Sequence, residues 1–220
     1  MTAASNPGPG DSAGPHPVRT DVRDRPEQWP VVTSTTRFTG SFITVLTDTV
    51  RLPDGGLMQR DVVRHPGAVG VLPYDAATGA VLLLQQYRHA PGMLLWEPPA
   101  GLRDVPDEPP LETAQRELYE EAHLRARQWN VLVEAYNSPG ITNETLLIYL
   151  ARGLTEVAEA DRHNGEQEEA YLVHAWVPLD DAVRLVLSGD LHNPTTVMGV
   201  LGLEAALHRP GGLDSLRVAT

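Results

Sequence analysis

Cysteine is absent from this 220-residue chain, and lysine is absent too: all 17 basic side chains are arginine. Without cysteine there is no disulfide framework and no thiol chemistry. Without lysine there is no Schiff-base amine and no P-loop lysine. Aromatics make up only 5% of the chain. Positive charge is scarce: 29 acidic residues against those 17 arginines give a formal net charge of −12. That balance argues against general affinity for nucleic-acid backbone or anionic membranes. It does not argue against phosphate substrates, because a bound metal supplies local positive charge. No run approaches the roughly 18 apolar residues of a membrane span. The first 17 residues lack a basic n-region and an apolar h-region, so they do not read as a secretory signal. A cytoplasmic protein is the expectation, with neither nucleic acid nor membrane as partner. The eight histidines show no HExxH spacing, and GxSxG, P-loop and GxGxxG patterns are missing.

What is present is enough apolar content, 41%, for one core. Residues 1–28 are Pro-, Gly-, Ala- and Ser-rich with few large apolar side chains, and they read as a disordered tail. From Trp29 to position 66 the composition turns β-branched. The Pro53-Asp54-Gly55-Gly56 turn between two alternating runs is a hairpin signal. In 67–210, Ala68 to Asp75 and Ala80 to His89 carry consecutive apolar residues, as strands buried on both faces do. Further strands are expected at Gln128–Gly140, Glu144–Leu154 and Ala170–Pro178. A helix is expected at 110–123, a charged loop at 155–169, and two helices near the end. Residues 211–220 read as a C-terminal tail. The fold class that follows is α/β, a mixed sheet between helices.

The most informative stretch is Gly101 to Leu124. Glu117, Glu120 and Glu121 are spaced i, i+3, i+4, which puts three carboxylates on one stripe of a helix. Leu111, Ala114, Leu118 and Ala122 fall on a neighbouring, core-facing stripe. Like charges at i, i+4 destabilise a helix, and only Arg116 lies beside these three. A divalent cation such as Mg²⁺, which prefers hard oxygen ligands, would resolve the repulsion.

At these residues the chain resembles the Nudix box, the signature of the Nudix hydrolases. Gly101, Glu108, Arg116, Glu117, Leu118, Glu120, Glu121 and Leu124 occupy its positions in order. There are two departures. Six residues rather than five separate Gly101 from Glu108, an insertion that costs little in a Pro-containing loop. The final glycine is His123, at a helix C-terminus where a left-handed cap belongs. Histidine tolerates that conformation, and a protonated ring would suit the helix dipole.

The resemblance implies a Nudix-type α/β/α sandwich, with an N-terminal antiparallel sheet (29–66) that takes part in a homodimer. It extends over roughly 37–208, with YRH and WEPPAGL before the box, towards the ADP-ribose pyrophosphatase subgroup. It implies two or three Mg²⁺ ions (Mn²⁺ as substitute) held by Glu117, Glu120, Glu121 and the Ala100 carbonyl, Glu121 being catalytic as well. Gly101, Glu108 and Arg116 brace that set. Glu166, Glu168 and Glu169 alone read as a solvated acidic loop. The subgroup places a catalytic base there, with Glu169 fitting best, Glu168 next and Glu166 third. Arg88, Glu97 and Glu144 match substrate-binding positions. The implied activity is hydrolysis of a nucleoside diphosphate linked to another group, ADP-ribose first. A nucleotide sugar such as GDP-mannose, or a dinucleotide, is the alternative, and so is a non-catalytic ADP-ribose-binding module.

Overall fold

The computed structural model describes residues 20–163 and 172–220. Residues 20–30 are exposed and carry neither helix nor strand. Three antiparallel strands follow: β1 (Val31–Thr39), β2 (Thr44–Arg51) and β3 (Leu57–Arg64), in the order β1-β2-β3. Their many Val and Thr residues favour extended backbone. Asp54 Oδ1 accepts from Gly56 N at 2.9 Å, and Gly55 takes φ 88°, which closes the expected turn between β2 and β3. This is the separate N-terminal sheet, and β1 is exposed along its whole length.

The main sheet is built from β4 (Ala68–Asp75), β5 (Ala80–Arg88), β8 (Leu124–Tyr136), β9 (Thr145–Glu156), β10 (Val173–Pro178) and β11 (Arg217–Val218). Their order is β10-β5-β4-β9-β8-β11. Two short strands join it: β6 (Met93–Glu97) beside β5, and β7 (Ala100–Leu102) beside β4. β4 and β9 run parallel and their other neighbours antiparallel, so the sheet is mixed.

Alternation divides the apolar runs between two layers. Val69 and Val71 of β4, Leu82 and Leu84 of β5, and Tyr149 and Ala151 of β9 pack against Ala114 and Leu118 of α1 (Pro110–Ala122). Leu72, Tyr74, Val81 and Leu150 pack on the other face against α2 (Leu179–Ser188) and α3 (Pro194–Leu207). The result is the expected α/β/α sandwich. Each large side chain so buried contributes about 1.5–3 kcal/mol.

Several boundaries differ from the sequence reading: β8 runs Leu124–Tyr136 where Gln128–Gly140 was expected, and β6 and β7 are strands the sequence reading did not include. β9 continues to Glu156 and a 3₁₀ turn spans Glu159–Asp161, so the charged loop starts later than Thr155. Residues 211–220 are not a loose tail: a 3₁₀ turn at Gly212–Ser215 leads into β11, where Arg217 and Val218 pair with Val131 and Asn130. A two-residue strand is too short to leave a period in the sequence.

Candidate active site

α1 starts on two prolines, with Pro109 as N-cap and Pro110 as first residue, where a missing N–H costs nothing. It ends at His123, whose φ of 52° and ψ of 37° form the left-handed cap expected of the residue replacing glycine. Its N–H donates to Tyr119 O at 3.0 Å. Burial of the imidazole lowers its pKa from 6.5, because desolvation disfavours the cation. Its Nδ1 is buried with no hydrogen-bond partner among the described residues.

The extra residue of the loop before α1 is absorbed by Asp107, which adopts φ 62°, a conformation aspartate tolerates. Glu108 therefore still reaches Arg116. Arg116 Nε and Nη2 donate to the two Glu108 oxygens, each at 3.2 Å, and the Thr113 hydroxyl donates to Oε2 at 2.8 Å. The Arg116 fork, then the Thr113 bond, hold the Glu108 carboxyl below its ordinary 4.5. The same bond to Glu108 raises the pKa of Arg116, which stays charged. Thr113 was not singled out in the sequence; nothing there marks a threonine whose partner depends on how a loop folds back.

The remaining nitrogen of Arg116 serves the stripe. Nη1 donates to Glu117 Oε1 at 2.7 Å and to Glu120 Oε2 at 3.2 Å. One planar cation is thus shared among three carboxylates, which answers the like-charge problem read from the spacing. Glu121 turns the other way, and its Oε2 accepts from Ala100 N at 2.9 Å. The Glu117 carboxylate lies where a side chain at Gly101 would have to go, so any larger residue there would displace it from Arg116. Glu117 and Glu121 are buried and Glu120 half-buried.

Hard oxygen donors of this kind suit Mg²⁺. Among the described residues, no three His, Asp or Glu side chains are already drawn together at metal-ligating spacing. Arg116 and the Ala100 amide hold the carboxylates in their present places. One N–H does not exhaust the roughly four lone-pair sites of a carboxylate. The donor chemistry fits, provided Glu117 and Glu120 exchange part of their hold on Arg116 for the ion.

Arg88 and Glu97 are brought together. Arg88 Nε donates to Glu97 Oε1 at 2.9 Å and Oε2 at 3.1 Å, and Nη2 donates to Oε2 at 2.6 Å. Glu97 is only 3% exposed. Glu144 instead closes its own turn, accepting from Asn137 Nδ2 at 2.8 Å. Glu166, Glu168 and Glu169 lie outside the described residues. One further side chain reaches the helix: a ring nitrogen of His174, Nε2 on β10, is 2.7 Å from the Glu121 carbonyl oxygen. His174 pairs with Leu84 across the ladder, so it faces α1. Only that register reveals it. A cavity of about 520 Å³ lined by Tyr74, Arg152 and Trp176 lies away from these carboxylates.

Residues 64–196 match the family model for the NUDIX domain. The chain is 43% identical over 174 residues to the ADP-ribose pyrophosphatase of Mycobacterium tuberculosis, covering 79% of this chain and 82% of that protein. It is 33% identical over 167 residues to the ADP-ribose pyrophosphatase of Bacillus subtilis, covering 76% and 88%. Among solved structures, the crystal structure of an ADP compounds hydrolase superposes with a TM-score of 0.67 at 19% identity, covering 84% of this chain and 97% of that one. At that identity the likeness concerns the fold.

Proposed function

We propose that this chain, which belongs to the NUDIX domain family, is a Mg²⁺-dependent hydrolase that converts ADP-ribose to AMP and ribose 5-phosphate. The observation that carries the reading is the complete carboxylate edge of α1 in a chain so similar to an ADP-ribose pyrophosphatase. In the proposed reaction, the oxygen of water bonds to one phosphorus while the bond from that phosphorus to the bridging oxygen breaks. The bridging oxygen departs on the other phosphate, and the protons of water are divided between the products. Such chemistry needs charge neutralisation and in-line placement above all.

Mg²⁺, two or three ions with Mn²⁺ as substitute, would neutralise the diphosphate and lower the pKa of the attacking water. Glu117, Glu120, Glu121 and the Ala100 carbonyl are the proposed ligands. Arg116 and Glu108 orient them, supported by the shared guanidinium. Glu169 is the proposed base, with Glu168 and then Glu166 as alternatives. Arg88 is proposed to meet the diphosphate, and Glu144 the substrate from its turn.

Residues 29–66 are proposed to form a homodimer. In support, β1, an edge strand of its sheet, exposes Val31, Val32 and Phe38. A cytoplasmic location is proposed because the nucleotide pool lies there. The described residues contain no helix long and apolar enough to cross a membrane.

The test is a panel of ADP-ribose, nucleotide sugars, dinucleotides and nucleoside triphosphates incubated with Mg²⁺, followed by phosphatase and phosphate detection. ADP-ribose is expected to give the highest kcat/KM. Preference for another member reassigns the substrate. Tight ADP-ribose binding with no turnover of any member makes the chain a sensor.

A further inference from the structure

We propose that Glu97, which the family resemblance puts at a substrate-binding position, is instead a positioning residue: it aims Arg88 at the diphosphate and does not itself touch the substrate. The inference rests on the reading above, in which a diphosphate is bound against α1.

Glu97 stands opposite Leu84 across the β5–β6 ladder, so the two project to the same side. Leu84 belongs to the cluster beneath α1. Arg88 lies four residues beyond Leu84, an even step, and therefore shares that side. Gly101, opposite Val69 in the same cluster, shares it as well and carries the Glu117 carboxylate above it. Arg88, Glu97 and the carboxylate edge thus occupy one face.

Four residues of extended chain separate Arg88 from the row holding Glu97, about 14 Å. Arg88 doubles back along β5 to meet Glu97. An arginine at the end of a hairpin, with no such partner, would extend into solvent. Here its side chain keeps 42% exposure while that of Glu97 keeps 4%. The guanidinium sits at the boundary, and the carboxylate lies beneath it with both oxygens engaged.

The support under Glu97 is rigid. The carbonyl of its neighbour Trp96 accepts from the Thr196 hydroxyl at 2.7 Å, and Thr196 is fully buried in the first turn of α3. Two residues on, Pro99 O accepts from Val71 N at 2.8 Å. Ala100 N then donates to Glu121. A fork fixed this way recognises phosphate oxygens in its plane, and the cost of ordering it is met before the ligand arrives.

A double-mutant cycle tests this on the full chain, with wild-type turnover of ADP-ribose measured first. Glu97→Gln should raise KM about tenfold, the scale of a lost charge-assisted bond, and lower kcat by less. Arg88→Ala should raise KM at least as far. Adding Glu97→Gln to Arg88→Ala should raise it no further. A multiplied KM in the double variant overturns the proposal, because Glu97 would then meet substrate itself. An unchanged KM for folded Glu97→Gln, judged by its melting curve, overturns it equally. If Glu97→Gln fails to fold, Arg88→Lys carries the test, since it leaves Glu97 a cationic partner but no fork. A KM-weighted loss is expected there, and an unchanged KM sinks the idea. If the wild type spares ADP-ribose but cleaves another diphosphate, the functional reading alone has failed, and the cycle is read on that substrate.

Discussion

The two sheets of this molecule use similar residues in opposite ways. β4, β5 and β9 are buried on both faces, with Val69, Val71 and Leu72 fully inaccessible. β1 is exposed at each of its nine positions and shows Val31, Val32 and Phe38 to solvent. The main sheet therefore draws its stability from within the chain. The first sheet gains little from its outer strand unless something else covers it. Every site residue placed by the structure hangs from the main sheet or α1, apart from Glu108 in the loop before α1 and Glu144 in its turn. Change in the main sheet should cost folding or catalysis, and change in β1 should cost association.

The largest effect expected is on α1. Glu121→Gln keeps an oxygen for the Ala100 amide, so the melting temperature should hold within a few degrees. Its kcat should fall by roughly 10²–10³-fold, the scale of removing one preorganised charge-stabilising group. Steady-state assays across Mg²⁺ concentrations would decide this, and unaltered turnover would remove the metal-binding role of the stripe. Next comes a matched pair. Leu118→Ala empties a fully buried position and should cost about 2–5 kcal/mol in denaturant titration. Phe38→Glu, at a 58% exposed position, should cost the monomer no more than about 0.5 kcal/mol. It should nonetheless shift the sedimentation of a dimer towards that of a monomer. Equal stability losses from the pair would end the contrast between the sheets.

How much was legible follows from how local each feature is. The carboxylate stripe was readable because one helix of known period carries it, and the left-handed cap because His123 stands at a fixed offset from Glu121. The strands buried on both faces announced themselves by unbroken apolar runs. The Arg88–Glu97 pair was not readable as a pair. It depends on the β5–β6 register, set by a turn whose geometry the intervening residues do not dictate. The link from His174 to α1 depends on a strand some fifty residues later entering beside β5. Each residue was visible, but its partner came from pairing between distant segments.

A smaller effect probes the brace on the stripe. Glu108→Gln removes a charged partner of Arg116 and should cost about 1–2 kcal/mol at neutral pH. The folded carboxyl titrates below its ordinary 4.5. Its contribution is present above that value and is lost as pH falls through the folded pKa, where both states become protonated. The stability gap between wild type and variant should therefore narrow as pH falls below 4.5 and close once pH is below the folded pKa. A gap that stays constant as pH falls from 7 to well below 4.5 would mean that Glu108 acts through shape and not charge.

The smallest effect concerns the end of α1. His123→Gly places the residue that prefers φ 52° at the cap, and it removes a buried Nδ1 that has no partner among the described residues. Against this stand the greater freedom of glycine in the unfolded chain and the loss of ring contacts in a 260 Å³ hollow shared with His174 and Trp176. The balance should be a gain of about 0.5 kcal/mol at pH 7.5. The sign of the pH dependence then separates the causes. Because burial lowers the pKa of His123 from 6.5, the unfolded wild type binds more protons just below that pH than the folded protein does. Wild-type stability falls there, while the variant lacks that loss. The advantage of His123→Gly should accordingly widen between pH 7.5 and 5.5 in chemical denaturation. An advantage that narrows instead would show the imidazole to be better satisfied in the folded protein than its surroundings indicate.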